Sequence, residues 1–265
     1  MGFIQGYIGS SGPHWFLVDT GANRSAFDTS ISQALALPAG ASTKVEGSAG
    51  TIEASSVDVA EAHIGGITVH NLKPTTYDLS GSLAPDGHRI AGILGYDALK
   101  DHAILFDRTR GVVRIAAKAN LLADLSKAEI VPFELDNNIP SIVAAIDSEA
   151  VKLRLDTGAS IGDGPTSFVN VTEAFYERLK ASNGKLEPYT HFTASGAGGE
   201  IRIPVVKASS FRVGQLEIRE PHLIVQPRTG YFARPDAIGF LGAYAFQSRS
   251  AFIVDYPGKR LILLP

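Results

Sequence analysis

The chain has 265 residues, of which 45% are hydrophobic and 19% charged, with a net charge of −3 and no cysteine. At roughly 150 residues per domain the length suggests about two domains. The balance excludes a basic nucleic-acid surface, a polybasic membrane patch and an acidic disordered tail. The missing cysteines exclude disulfides, thiolate metal sites and thiol nucleophiles, and no apolar run approaches the ~18 residues of a membrane-spanning helix.

Glycine separates short β-branched and aromatic runs, the pattern of many short strands joined by tight turns. In the first half, strands are predicted at Phe3–Ile8, Trp15–Val18, Thr51–Ile64 (with a break), Ile67–Tyr77, Ala103–Phe106 and Val112–Ala116. A weak helix is predicted at Thr29–Leu37, closed by Pro38 and Gly40. Residues 117–128, with Leu121, Leu122 and Leu125, read as a short helical connector. Strands follow at Ile130–Leu135, Ser141–Ile146, Val151–Leu155, Ile201–Val213, Leu223–Gln226, Phe252–Asp255 and Leu261–Leu264. The clearest helix is Val171–Ala181, where Asn170 can cap the first turn and Glu173 completes a capping box.

The two halves repeat one another. Leu17-Val-Asp-Thr-Gly-Ala22 returns as Arg154-Leu-Asp-Thr-Gly-Ala159, and Gly47-Ser-Ala-Gly-Thr-Ile52 as Gly196-Ala-Gly-Gly-Glu-Ile201. Gly92-Ile-Leu-Gly-Tyr96 returns as Gly239-Phe-Leu-Gly-Ala243, and Leu105-Phe-Asp107 as Ile253-Val-Asp255, in the same order. An all-β protein of two homologous lobes is expected, residues 1–116 and 129–265, joined by 117–128. Ile130–Leu135 has no counterpart in the first half, which raises the expectation of a preceding segment, an export signal or anchor included. The compartment is left open.

Each Asp-Thr-Gly follows an apolar strand, so Asp19 and Asp156 leave core strands for tight turns. Gly21 and Gly158 suit such turns because they tolerate positive φ and let a second backbone approach closely. Small Ala22 and Ala159 fit two loops packed together. If the halves meet about a pseudo-twofold axis, the two carboxyls become neighbours. Two close carboxyls share one proton: the ionised one can deprotonate a water while the protonated one hydrogen-bonds a carbonyl.

These motifs resemble the aspartic proteases, specifically a retropepsin-like unit duplicated in one chain. The resemblance rests on the two Asp-Thr-Gly-Ala motifs and on Ile93-Leu94-Gly95 and Phe240-Leu241-Gly242. It implies two acid-protease-type β-barrel lobes related by a pseudo-twofold axis, with few short helices. It also implies a catalytic dyad of Asp19 and Asp156, and loops locked together by Thr20 and Thr157, with Gly21 and Gly158 supporting them. Hairpin tips Ser48, Ala49 and Gly50, and Ala197, Gly198 and Gly199, would be flaps over an extended peptide; neither carries the flap tyrosine of pepsins. Ile93 and Phe240 would line apolar pockets, and Ala22, Asn23, Ala159 and Ser160 would brace the loops or touch substrate backbone. Ala22 and Ala159 stand where pepsin-like proteins place a hydroxyl donor, so an optimum of about pH 4–6 is expected.

The expected function is therefore an aspartic endopeptidase acting on peptide or protein substrates without a cofactor or metal. One chain carries both loops, so a monomer is expected. The alternatives are a silent peptide-binding protein of the same fold and a serine hydrolase through Ser160 in Gly158-Ala-Ser160-Ile-Gly162. The second needs a helix directly after the serine, which Asp163-Gly164-Pro165 opposes. Seven histidines lack metal-ligand spacing.

Overall fold

The computed structural model describes residues 1–47, 50–159, 168–182, 184, 186–196 and 199–265. The first lobe is built from β1 (Gly2–Ile8), β2 (Ser11–Val18), β3 (Ala26–Asp28), β4 (Ala39–Glu46) and β5 (Thr51–Val57). It continues with β6 (Val59–Ile64), β7 (Ile67–Leu72), β8 (Thr75–Tyr77) and β9 (Gly92–Leu94). Strands β10 (Ala103–Asp107) and β11 (Val112–Ala116) follow, then β12 (Glu129–Pro132), β13 (Glu134–Asp136), β14 (Ile139–Ile146) and β15 (Glu149–Asp156). The rest are β16 (Phe168–Thr172), β17 (Thr190–Gly196), β18 (Gly199–Lys207), β19 (Ser210–Val213) and β20 (Leu216–Arg219). Last come β21 (His222–Gln226), β22 (Gly239–Gly242), β23 (Ala251–Asp255) and β24 (Arg260–Leu264). Helices are short: α1 (Thr29–Ala34), α2 (Tyr96–Leu99) and α3 (Glu173–Ser182).

The repeat in sequence is a repeat in topology. The first sheet runs β4-β5-β8-β3-β9-β2-β1-β6-β7, and the second runs β17-β18-β21-β16-β22-β15-β14-β19-β20. Position by position the two orders correspond. In each, the strand entering the Asp-Thr-Gly turn pairs parallel with the apolar-apolar-Gly strand: Leu17 faces Ile93 and Arg154 faces Phe240. That strand then pairs antiparallel with β3 or β16, so it is threaded through the centre of its lobe.

The lobes join at their base in a five-stranded sheet, β11-β10-β23-β24-β12. At its middle β10 and β23 run antiparallel, with Leu105 opposite Ile253. Phe106 stacks on Phe252 at 4.7 Å, an apolar contact between lobes that buries two of the largest side chains in the core. Val18 and Leu94 are fully buried under the first loop, as Leu155 and Leu241 are under the second. At about 1.5–3 kcal/mol per buried aliphatic side chain, each loop has a firm foundation.

Several elements differ from the sequence expectation. The helix starts at Glu173, not Val171, because Asn170 and Val171 belong to β16, held by its parallel partner β21. Thr172 Oγ1, not Asn170, caps it by accepting from Phe175 N–H at 3.2 Å. Asn170 is buried and accepts from Gln226 Nε2 instead. The predicted strand Ile130–Leu135 is two strands: β12 pairs β24, and after the buried Phe133 β13 turns to pair β14. Residues 117–128 hold a single 3-10 turn at Ala119–Leu121.

Candidate active site

The two Asp-Thr-Gly turns meet between the lobes, and their contacts are reciprocal. Thr20 Oγ1 donates to Leu155 O at 2.7 Å and accepts from Thr157 N–H at 3.2 Å. Thr157 Oγ1 donates to Val18 O at 2.9 Å and accepts from Thr20 N–H at 3.0 Å. Both threonines are buried, at 0% and 2% exposure, so these four bonds are shielded from water. The Ala22 N–H returns to Asp19 O, and the Ala159 N–H to Asp156 O, each at 3.3 Å, closing matched turns.

The glycines are required by close approach. Neither Gly21 nor Gly158 has a positive φ. A Cβ on Gly21 would stand 2.5 Å from Asp156 Cγ, and one on Gly158 would stand 2.4 Å from Asp19 Cγ. Each carboxyl thus lies over the backbone of the opposite loop, and the two carboxyls come within hydrogen-bonding reach of each other.

Their environments differ. Asp19 Oδ1 accepts from Gly21 N–H at 2.8 Å and from Gly158 N–H at 3.2 Å, whereas Asp156 Oδ1 accepts from Ala159 N–H at 2.8 Å. Burial pushes the Asp19 carboxyl above its ordinary value, and backbone N–H groups offset part of that rise. Burial and then the adjacent Asp19 charge push Asp156 further up. The pair holds a proton above the usual aspartate range, and Asp19, with two backbone N–H donors to the one on Asp156, carries the smaller rise.

A cleft of about 630 Å³ opens over the carboxyls. Its floor includes Asp19, Gly21, Ala22, Asn23, Ile93, Asp156 and Phe240, and the hairpin stretch Thr43–Gly47 forms another wall. A larger groove of about 770 Å³, between Ile8, Leu35, Val59 and Lys73, shares no residue with it and holds neither Asp-Thr-Gly loop. Gly50 O accepts from Gly47 N–H at 2.8 Å where β4 meets β5. Gly199 pairs with Gly196 where β17 meets β18. Ala159 supports Asp156 through its N–H and is not among the cleft-lining residues. Ser48, Ala49, Ser160, Ala197 and Gly198 lie outside the described residues.

The cleft also recruits residues that the repeat did not reveal. Tyr77 lines it from β8, its hydroxyl pushed up to about 12 by burial and the Asp19 charge, so it stays a neutral donor. Its register equivalent in the second lobe is Gln226, opposite Thr172 as Tyr77 is opposite Asp28. Arg154 lines the second-lobe wall, bonded to Asp136 at 2.8 Å and stacked 4.2 Å over Tyr231. Tyr231 N–H donates to Gly47 O at 3.1 Å, and Arg234 lies 3.7 Å from Glu46. A second-lobe turn therefore holds the first-lobe hairpin. The signal for that turn was its place just before the Gly239-Phe-Leu-Gly motif.

Residues 4–98 match the family model described as aspartyl protease. None of the curated proteins compared with the chain matches it. Among solved structures the chain is similar to a retropepsin-like aspartic protease from Rickettsia conorii. That likeness is 19% identity over 51% of this chain and 88% of the other, with a TM-score of 0.34. No helix among the described residues is long and apolar enough to cross a membrane.

Proposed function

We propose that this chain, for which family signature and fold support an aspartic protease, hydrolyses peptide bonds with water activated between Asp19 and Asp156. The observation that carries this reading is the reciprocal seating of each carboxyl over the other loop's glycine. Asp19, with two N–H donors, is the ionised member and takes a proton from water as its oxygen attacks the scissile carbonyl carbon. Asp156 gives its proton to the carbonyl oxygen, leaving a gem-diol. The proton on Asp19 then passes to the amide nitrogen as the C–N bond breaks. Asp156 recovers a proton from one gem-diol hydroxyl, and the pair is restored.

Ile93 and Phe240, each in the strand beneath its loop, give the central cleft an apolar lining, which supports apolar side chains at the cut bond. Because one chain supplies both loops, a monomer is the working unit. The test is digestion of a peptide library from about pH 3 to 8 with acid-quench mass spectrometry of the enzyme. Cleavage without a covalent adduct is expected. No cleavage at any pH, or an acyl adduct on Ser160, would overturn the reading.

A further inference from the structure

We propose that Arg24 is a specificity-determining residue that selects an acidic side chain in the bound peptide. This inference rests on the reading of the cleft as a peptide-hydrolysing site.

The backbone that carries Arg24 is fixed. The neighbouring Ser25 is buried, and its N–H and Oγ both donate to Asp97 Oδ1, at 2.7 and 2.6 Å. Gly95 N–H donates to Ser25 Oγ at 3.0 Å, and a Cβ on Gly95 would lie 2.6 Å from the Arg24 carbonyl carbon. The exposed side chain therefore starts from a defined point and enters the cleft.

Its charge is the one left over. Four cations line the cleft: Arg24, Lys44, Arg154 and Arg234. Arg154 is matched by Asp136 at 2.8 Å, and Arg234 by Asp236 at 2.8 Å and Glu46 at 3.7 Å. Lys44 faces Glu53 at 3.4 Å. Arg24 forms no ion pair among the described residues, so its guanidinium keeps its five donors for a ligand. A carboxylate is the group that uses this planar fork best, by bidentate pairing. In the strand register that matches Ala26 to Asn170, the equivalent position of the second repeat is Phe168, so the cation stands on one side of the dyad only. The selection is thus directional: the acidic residue sits on the Arg24 side of the cut bond and fixes which way the peptide runs.

The test walks Glu, Gln and Lys through each position of one cleaved peptide and compares kcat/KM. At one position Glu should exceed Gln by about fivefold, the upper range for a solvent-accessible ion pair, with the gain lost in high salt. Arg24→Glu should invert the order in favour of Lys at that same position, and Arg24→Gln should flatten it. No position with an acidic preference, or a preference that survives Arg24→Glu, would overturn the inference. Fluorescence anisotropy of labelled peptides on the wild-type protein reads the same ranking without chemistry. A Glu-over-Lys ranking with no cleavage would sink the protease reading and keep Arg24 as selector; cleavage with no ranking would do the reverse.

Discussion

Gly21 lies directly beneath Asp156: a single added methyl there would sit 2.5 Å from the carboxyl carbon, closer than a Cβ can stand. Gly158 lies the same way beneath Asp19, at 2.4 Å. Gly21→Ala and Gly158→Ala should therefore each push the carboxyls out of register. We predict loss of peptide cleavage, with a melting-temperature drop matching the ~1–3 kcal/mol of an overpacked site. Near-normal cleavage by either variant would show that the carboxyls need not be seated this way.

The buried threonines give a second prediction. Thr20→Ala strands Leu155 O and Thr157 N–H, two groups shielded from water. At about 1–3 kcal/mol for each orphaned partner, denaturant unfolding should show a loss of ~2–6 kcal/mol. Thr20→Ser keeps the oxygen and should recover most of it. Equal losses for both variants would assign the effect to packing of the methyl.

The raised carboxyl values predict how stability follows pH. Both shift upward, so the folded chain binds protons more tightly than the unfolded chain. The stability this contributes is complete below the ordinary aspartate value and is lost as pH rises through the raised ones. Asp156→Asn removes a carboxyl that resists ionisation. It should melt above the wild type at neutral pH, and that advantage should shrink as pH falls through the raised values and vanish below the ordinary aspartate value. An Asn variant that is less stable than the wild type at neutral pH would contradict the burial argument.

The clasp between the lobes predicts a local effect. Arg234→Ala breaks the contact with Glu46, an exposed pair worth about 0–1 kcal/mol, so global stability should scarcely change. Amide hydrogen exchange across Thr43–Glu46 should nonetheless quicken, and KM should rise more than kcat falls. Unchanged exchange in that hairpin would mean that the Tyr231 N–H bond to Gly47 holds it alone.

Much of the site could be read from the repeat, since two Asp-Thr-Gly-Ala turns in one order demand two matching loops. Strands β3 and β9 are three residues each, too short for alternation to register, and they form only because neighbouring strands trap them. Strand β4 is mostly exposed, and its small polar residues carry no hydrophobic pattern. Asn170-Val-Thr-Glu173 looked like a helix start because local capping chemistry is visible in sequence, whereas the parallel pairing of β16 with β21 joins residues over 50 positions apart. Tyr77, Arg154 and Tyr231 line the cleft without repeat partners of the same type, so symmetry could not point to them.

The central claim is that Asp19 and Asp156 act as one acid–base unit, and a double-mutant comparison tests it most directly. Peptide cleavage should be measured for Asp19→Asn, Asp156→Asn and the variant carrying both, each shown to be folded. Each single change should remove essentially all cleavage, and combining them should remove no more, the non-additivity of groups that act together. Appreciable turnover by either single variant, or a further stepwise loss in the double one, would contradict that claim.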